Sequence, residues 1–142
     1  GLRRPTDTPG AGAAGGLGFA LDCVLGGMAR MGATFLADLI QLDAAIAASE
    51  LVITGEGQVD GQTSRGKVVA EVVARAQRLG VPVVAVAGSL ACSEAELTDF
   101  GLADARALCD GSITLEQAMA EPARWITART QALVTDHVAR TG

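Results

Sequence analysis

Short apolar runs alternate with helix-forming segments over the later part of this chain. Residues 51–54 form a run of aliphatic side chains, and residues 82–87 form another. A weaker third run spans residues 103–108, and each run is followed by a segment with helical periodicity or a helix-capping signal. This order of strand and helix is typical of a parallel sheet covered by helices. It therefore predicts an α/β fold over residues 51–142.

Local signals predict where the helices begin and end. Residues 66–79 place valines on one side of a helix, and Gly80 is expected to stop it. Two pairs of residues have the spacing of a capping box and predict two further helix starts: Ser93 with Glu96, and Thr114 with Gln117. Pro122 suits the first turn of a last helix, which we expect to run to about residue 139.

The first fifty residues follow a different pattern. Residues 10–16 contain only glycine and alanine, and they lead into a predicted helix that ends near residue 29. A second helix is predicted at about residues 34–48. Because no strand pattern is visible before residue 51, we expect residues 1–50 to belong to a different lobe from residues 51–142.

Composition excludes some classes of function. The chain has 142 residues, of which 49% are hydrophobic and 3% aromatic, so its core must consist of Ala, Val and Leu. The net charge of −5 argues against nucleic-acid binding, which requires a basic surface. Charged residues and glycines interrupt the apolar stretch at residues 17–40, which indicates buried helices rather than a membrane span.

The cysteines indicate a reducing environment. Cys23, Cys92 and Cys109 lie far apart, without a CxxC pair, and the chain has one histidine. We therefore expect reduced thiols rather than a disulfide or zinc framework. No signal peptide is visible, so we expect a cytoplasmic protein.

Polar side chains crowd the segment that follows the first apolar run. We predict a loop over residues 55–65, in which Glu56 and Asp60 are two carboxylates of open relative geometry. Either one of them binds magnesium or a substrate hydroxyl and the other acts as a base, or both are solvated loop acids, or Asp60 and Gly61 merely form a turn. The density of polar groups favours a site, and its members are Thr54, Glu56, Asp60, Gln62, Thr63, Ser64 and Lys67.

Two glycine motifs resemble nucleotide-binding signatures without matching them. Residues 61–67 fit GxxxxGK, but Val68 stands where a P-loop needs a hydroxyl for magnesium. Gly66 and Lys67 still offer close approach and positive charge to an anion. Residues 10–15 fit GxGxxG, yet residues 3–9 do not read as the strand that a dinucleotide fingerprint requires. A close-packed helix entry and a backbone cradle for phosphate both remain possible there.

The same segments resemble a known family. The stretch LVITGEG at residues 51–57, with Asp60, the QT pair at 62–63 and the GK pair at 66–67, resembles the signature of bacterial class I glycerate kinases. Three further blocks agree in order, and the resemblance runs from about residue 9 to 138: they are PGAGAAGGLG at 9–18, VPVVAVAGSL at 81–90 and SITLEQAM at 112–119.

The resemblance implies an ATP-dependent kinase that phosphorylates a hydroxyl of D-glycerate with Mg²⁺. It also implies two α/β lobes with the site between them. Family chains are longer than this one, so residues 51–142 would complete a Rossmann-like three-layer lobe whose other strands come from an N-terminal part. Residues 1–50 would end the second lobe or cross between lobes. The implied partners are that N-terminal part or a second copy of the chain.

The resemblance also gives roles to individual residues. Asp60 would be the base or orienting group for the hydroxyl, with Glu56 as its alternative, and either would bind Mg²⁺. Lys67 would neutralise phosphate or the glycerate carboxylate. Substrate and phosphate oxygens would be bound at Gly10, Gly12, Gly15, Gly55, Gly57, Gln62, Thr63, Ser64 and Gly66. The family often has a basic residue where this chain has Gln58. The alternative to a kinase is a non-catalytic α/β module that binds a phosphate-containing ligand.

Overall fold

A computed structural model describes residues 10–60 and 68–141 of the chain. The chain divides into two compact units, Gly1–Phe35 and Leu36–Gly142. The assignment of residues 1–50 and 51–142 to two lobes of a longer protein stays a prediction.

The first unit contains a short, irregular helical segment. A 3₁₀ turn at Ala13–Gly16 leads into α1 (Leu17–Phe19), which continues as a π turn at Ala20–Val24. The helix that we expected to reach residue 29 is therefore shorter. It ends at a glycine pair, because the amide of Gly27 donates a hydrogen bond to the carbonyl of Leu21 at 2.8 Å.

Two helices replace the single helix predicted at residues 34–48. α2 spans Gly32–Leu39 and α3 spans Leu42–Ala47. Gln41 separates them with a left-handed backbone (φ 55°), a conformation that interrupts a right-handed helix.

A buried arginine explains why the chain turns there. Arg75 is 5% exposed and donates to Asp38 at 2.7 Å, Asp43 at 3.0 Å and Glu71 at 2.7 Å. These carboxylates come from three successive helices, and the turn at Gln41 brings two of them to one guanidinium. Their hydrogen bonds, that of Asp38 foremost, raise the pKa of Arg75 above its usual range.

The second unit is built on a parallel sheet, which confirms the predicted α/β class. Strands β1 (Val52–Asp60), β2 (Val83–Ala91) and β3 (Asp104–Ala107) lie in the order β1-β2-β3. Val52 is paired with Val83, and Val84 with Asp104. The first two strands extend beyond their predicted ends, so the loop predicted from residue 55 is wrong up to Asp60.

Helices cover both faces of the sheet. Between β1 and β2 lies α4 (Val68–Leu79), and α5 (Glu94–Phe100) precedes β3. After β3 come α6 (Leu115–Ala120) and α7 (Pro122–Thr141). The structure confirms both predicted capping boxes, and Pro122 is the first residue of α7.

Successive residues of β2 pack on opposite faces of the sheet, in two separate hydrophobic cores. Val83, Ala85 and Ala87 pack in one cluster with residues of α3, α4 and α5. Val84 and Val86 pack on the other face against Leu133 of α7, whose side chain is fully buried. Because both faces of β2 carry buried apolar residues, helices must cover both faces of the sheet. The sheet is therefore the middle of three layers.

Ion pairs connect α7 to β3. Arg106 lies 2.8 Å from Asp136, and Arg140 lies 3.1 Å from Asp104.

Among the helices that the structure describes, none is long and apolar enough to cross a membrane.

Candidate active site

Asp60 lies at the carboxyl end of β1, beside a cavity of about 360 Å³. We call this the Asp60 cavity, and its lining includes Val59, Asp60, Cys92, Glu96, Asp99 and Phe100. Ligands of open parallel α/β sheets bind at the carboxyl ends of the strands. The position of Asp60 is thus the one in which such a fold places functional groups.

The pKa of the Cys92 thiol reflects the negative charge around the Asp60 cavity. Its thiol lies 3.8 Å from the carbonyl oxygen of Val59. Burial raises the pKa of the Cys92 thiol, and the negative charges of Glu96 and Asp60 raise it further. A thiol with a raised pKa stays protonated at neutral pH and is a poor nucleophile.

Glu56 lines a different space, a cleft of about 570 Å³ on the α7 side of the sheet. We call it the glycine cleft, because Gly55 and Gly57 of β1 and Gly88 of β2 line it together with Glu56, Ile126 and Thr130. The Asp60 cavity and the glycine cleft have no lining residue in common.

The two carboxylates therefore do not form one acidic pair. Both belong to β1 rather than to a loop. Four residues of extended chain separate their backbones by about 13 Å, at roughly 3.3 Å per residue. At that separation one magnesium ion, with bonds of about 2 Å to its oxygen ligands, can contact one carboxylate but not both. Their individual roles stay predictions.

The glycine-rich turn of the first unit closes on itself. Ala13 N–H donates to the carbonyl of Gly10, and Phe19 N–H donates to that of Ala11, both at 3.0 Å. A Cβ added at Gly18 would clash with the carbonyl oxygen of Gly10, so this position must be glycine. This is the close packing of a helix entry that the sequence allows. The phosphate-binding role of Gly10, Gly12 and Gly15 stays a prediction.

Several predicted site residues cannot be placed in this way. Gln62, Thr63, Ser64, Gly66 and Lys67 lie outside the described residues. Among the residues that are described, no group of three or more His, Cys, Asp or Glu side chains is arranged to hold a metal ion.

Sequence reasoning missed the contribution of α7 to the glycine cleft. Ile126 and Thr130 come about seventy residues after Glu56, and neither belongs to a recognisable motif. It also treated Cys92 as a core thiol and Glu96 as a helix cap, although both line the Asp60 cavity. The only available signal was their position after a predicted strand.

A third group of polar residues lies after β3. Asp110 accepts hydrogen bonds from the hydroxyl and amide of Ser112 and from Arg129. These bonds, that of the Ser112 hydroxyl foremost, hold the pKa of Asp110 below its usual range. Arg129 is thereby fixed beside the carboxyl end of β3.

A family model covers almost the whole chain. The model of the glycerate kinase family matches residues 2–137. The chain belongs to the glycerate kinase family. This assignment confirms the resemblance seen in the sequence.

Individual relatives agree with the family model. A glycerate kinase from Bacillus cereus is 38% identical over 110 residues, which cover 78% of this chain and 29% of the relative. A glycerate kinase from Bacillus subtilis is 34% identical over 87% of this chain and 33% of the relative. A glycerate 2-kinase from Escherichia coli is 44% identical over 59% of this chain and 22% of the relative.

A solved structure shares the fold. A crystal structure assigned as glycerate kinase 2 of Salmonella typhimurium LT2 superposes with a TM-score of 0.61 at 36% identity, over 92% of this chain and 34% of that one. The chain thus spans about a third of the length of the relatives it matches.

Proposed function

We propose that the protein to which these residues belong is an ATP-dependent kinase that phosphorylates a hydroxyl of D-glycerate. The observation that carries the proposal is the family match over residues 2–137. Relatives named glycerate kinase at 34–38% identity support it. Because the chain spans about a third of those relatives, the proposal concerns the complete protein, with an N-terminal part or a second copy completing the site.

The proposed reaction needs a small set of groups. The glycerate hydroxyl oxygen attacks the γ-phosphorus of ATP, the bond to the bridging oxygen of ADP breaks, and the hydroxyl proton passes to a base. We assign the base or orienting role to Asp60, which lies at the carboxyl end of β1 beside a cavity. Lys67 and the hydroxyls of Thr63 and Ser64 would neutralise and bind the transferred phosphoryl oxygens.

Magnesium would accompany the triphosphate and neutralise its charge. It usually takes one or two protein carboxylates and completes its shell with phosphate oxygens and water. Asp60 and Glu56 are hard oxygen donors of that kind. Because they line separate spaces, one ion would take only one of them.

The first experiment measures ADP release by the complete protein with D-glycerate and MgATP. Phosphorus NMR of the product would show which hydroxyl is phosphorylated. Absence of turnover together with retained ATP binding would favour the non-catalytic module instead.

A second experiment tests the role of Asp60. The variant Asp60→Asn should lose at least about 100-fold in kcat, the usual contribution of a positioned base. Asp99→Asn is the matched control, because Asp99 lines the same cavity from α5 and has no proposed role. Near wild-type turnover of Asp60→Asn would contradict the assignment.

A further inference from the structure

A further cavity, of about 670 Å³, lies beside β3 and α7. We call it the Arg129 cavity, and two arginines and two aspartates line it: Arg106, Arg129, Asp110 and Asp136. It has no lining residue in common with the Asp60 cavity. Because β2 lies between β1 and β3, two strand spacings, about 10 Å, separate the outer strands. The Arg129 cavity is therefore a separate space from the proposed reaction centre.

Small side chains keep the Arg129 cavity open. Arg129, Ala132 and Asp136 follow one another on α7 at spacings of three and four, so they lie along one side of the helix. Ala132 stands between the two charged residues, and Ala105 and Ala107 of β3 also line the space. The protein does not fill the volume between the charged groups, which lies in the range of small-molecule sites.

The two arginines each bind their aspartate through one nitrogen. Nη2 of Arg129 donates to Asp110, and Nη2 of Arg106 donates to Asp136 at 2.8 Å. Within the described residues, Nε and Nη1 of both guanidiniums have no hydrogen-bond partner, and Nε of Arg129 is buried. A buried donor without an acceptor costs free energy. Because the planar fork of a guanidinium matches an oxyanion, these nitrogens offer binding to a carboxylate or phosphate.

The aspartates restrict which anion fits. Asp110 is engaged through both oxygens, one bonded to Ser112 and the other to Arg129. Asp136 binds Arg106 through Oδ2 and is 49% exposed, and its Oδ1 accepts no hydrogen bond from the described residues. A carboxylate oxygen accepts a hydrogen bond from a hydroxyl, so the ligand that suits Asp136 carries one.

The balance of charge around the cavity favours a singly charged ligand. Two positive side chains face two negative ones, so each additional negative charge on a ligand meets as much repulsion as attraction. A carboxylate carries one negative charge, whereas a phosphate ester carries up to two near neutral pH. The lining therefore favours a carboxylic acid over a phosphate ester.

We propose that the Arg129 cavity binds a small hydroxy carboxylic acid, whose carboxylate accepts hydrogen bonds from Arg129 and Arg106 and whose hydroxyl donates to Asp136. The choice of glycerate as the example of this class rests on the proposed function, whereas the site does not depend on turnover. Because the cavity lies apart from Asp60, an acid bound there is an effector and not the phosphoryl acceptor.

NMR of the isotopically labelled complete protein tests the site directly, because the side-chain Nε–H signals of Arg106 and Arg129 report on the cavity itself. Without ATP, D-glycerate should shift both signals along one saturable curve. Propionate has the same carbon chain without hydroxyls and should bind about fivefold more weakly, the effect of one hydrogen bond. Asp136→Ala should abolish that difference, and inorganic phosphate should bind more weakly than glycerate.

Two pairs of variants separate binding from folding. Ala132→Leu fills the cavity without changing any charge and should weaken glycerate binding at least about tenfold. Ala123→Leu is its control, because Ala123 is exposed on the same helix and does not line the cavity. Arg129→Gln should also lose about tenfold, since it removes charged hydrogen bonds. Arg124→Gln should change nothing, because Arg124 on α7 is 63% exposed and pairs with Glu121 outside the cavity.

Several results would overturn the proposal: no shift of either arginine signal at high D-glycerate concentration, equal effects of the two leucine variants, or tighter binding of inorganic phosphate than of glycerate. If Arg129→Gln does not fold, Ala132→Leu decides the question alone. Turnover without a shift at the arginines contradicts only this inference, and a shift without turnover contradicts only the kinase proposal.

Discussion

At the scale of single residues, Gly57 and Gly88 fix how closely two strands approach. A Cβ added at Gly88 would lie 2.5 Å from the carbonyl oxygen of Gly57, a distance at which the backbone must move. The equivalent atom at Gly57 meets nothing within 4 Å. The two neighbours on paired strands therefore differ: glycine is required by packing at Gly88, whereas Gly57 adjoins open space in the glycine cleft.

This difference predicts opposite effects of two identical substitutions. Gly88→Ala should lower the free energy of unfolding by about 1–3 kcal/mol, because overpacking forces the strands apart. Gly57→Ala should leave it unchanged or slightly raised, since alanine restricts the unfolded chain. Urea unfolding of the two variants checks the prediction, and equal midpoints would contradict it.

The same glycines show the limit of what the sequence could predict. Gly55 and Gly57 indicate a loop by composition, because glycine is common in turns. The structure places both in β1, where a Cβ at Gly55 would lie 3.1 Å from the carbonyl oxygen of Val86 and one at Gly57 would meet no atom within 4 Å. The identity of the residue was visible in the sequence, but the neighbouring strand that decides its conformation was not.

At the scale of elements, two capping boxes differ in one chemical respect. The Ser93 amide donates to the carboxylate of Glu96 at 2.8 Å, whereas the Thr114 amide donates to the uncharged side chain of Gln117 at 2.9 Å. The bond from the Ser93 amide holds the pKa of Glu96 below its usual range. Because the pKa of Glu96 is lower in the folded state, this capping bond contributes its full stability above the ordinary glutamate pKa. That stability is lost as the pH falls through the folded-state pKa.

We therefore expect the cap of α5 to weaken in acid and the cap of α6 to persist. Measured by NMR as the pH is lowered from neutrality, the amide proton of Ser93 should shift with a midpoint below the ordinary glutamate pKa of about 4.5. The Thr114 amide should shift little over the same range. Glu96→Gln should remove the pH dependence at Ser93, and equal titration of the two amides would contradict the prediction.

The attachment of α7 depends on one apolar side chain and a set of ion pairs. Leu133 is the residue of this helix that is buried, at 0% exposure, and it packs on Val84 and Val86. Leu133→Ala should cost about 2–5 kcal/mol of stability, the usual effect of a cavity at a buried leucine. Val138→Ala is the control, because Val138 is 61% exposed on the same helix. Thermal unfolding should show a large effect for the first and almost none for the second.

Elements with local signals were predictable, and elements shaped by distant contacts were not. Both capping boxes and the start of α7 follow from residues three or four positions apart, and the structure confirms them. The break at Gln41 depends on Arg75, more than thirty residues later, and the contribution of α7 to the glycine cleft depends on chain folding across the sheet. No local pattern carries that information.

At the scale of the whole molecule, much apolar surface is uncovered. Large apolar side chains between 46% and 78% exposed recur through residues 17–40, and Met28 is the most exposed of them. Within the described residues, β1 is paired on one side only, with β2. A monomer rarely leaves such surface in contact with water, and an open strand edge invites pairing. Because the chain spans about a third of its relatives, the remaining part of a family member has the length to cover these surfaces.

We therefore expect the 142-residue chain alone to self-associate, and the complete protein to do so less. Light scattering across a dilution series should show a concentration-dependent mass for the isolated chain. Met28→Gln should lower that mass, because Met28 belongs to the exposed apolar stretch at residues 17–40. Met119→Gln should not, although Met119 on α6 is 73% exposed, since that residue lies outside the stretch. If the isolated chain is monomeric at every concentration, these surfaces do not need a partner. An equal effect of both methionine variants would show that general hydrophobicity, rather than this stretch, drives association.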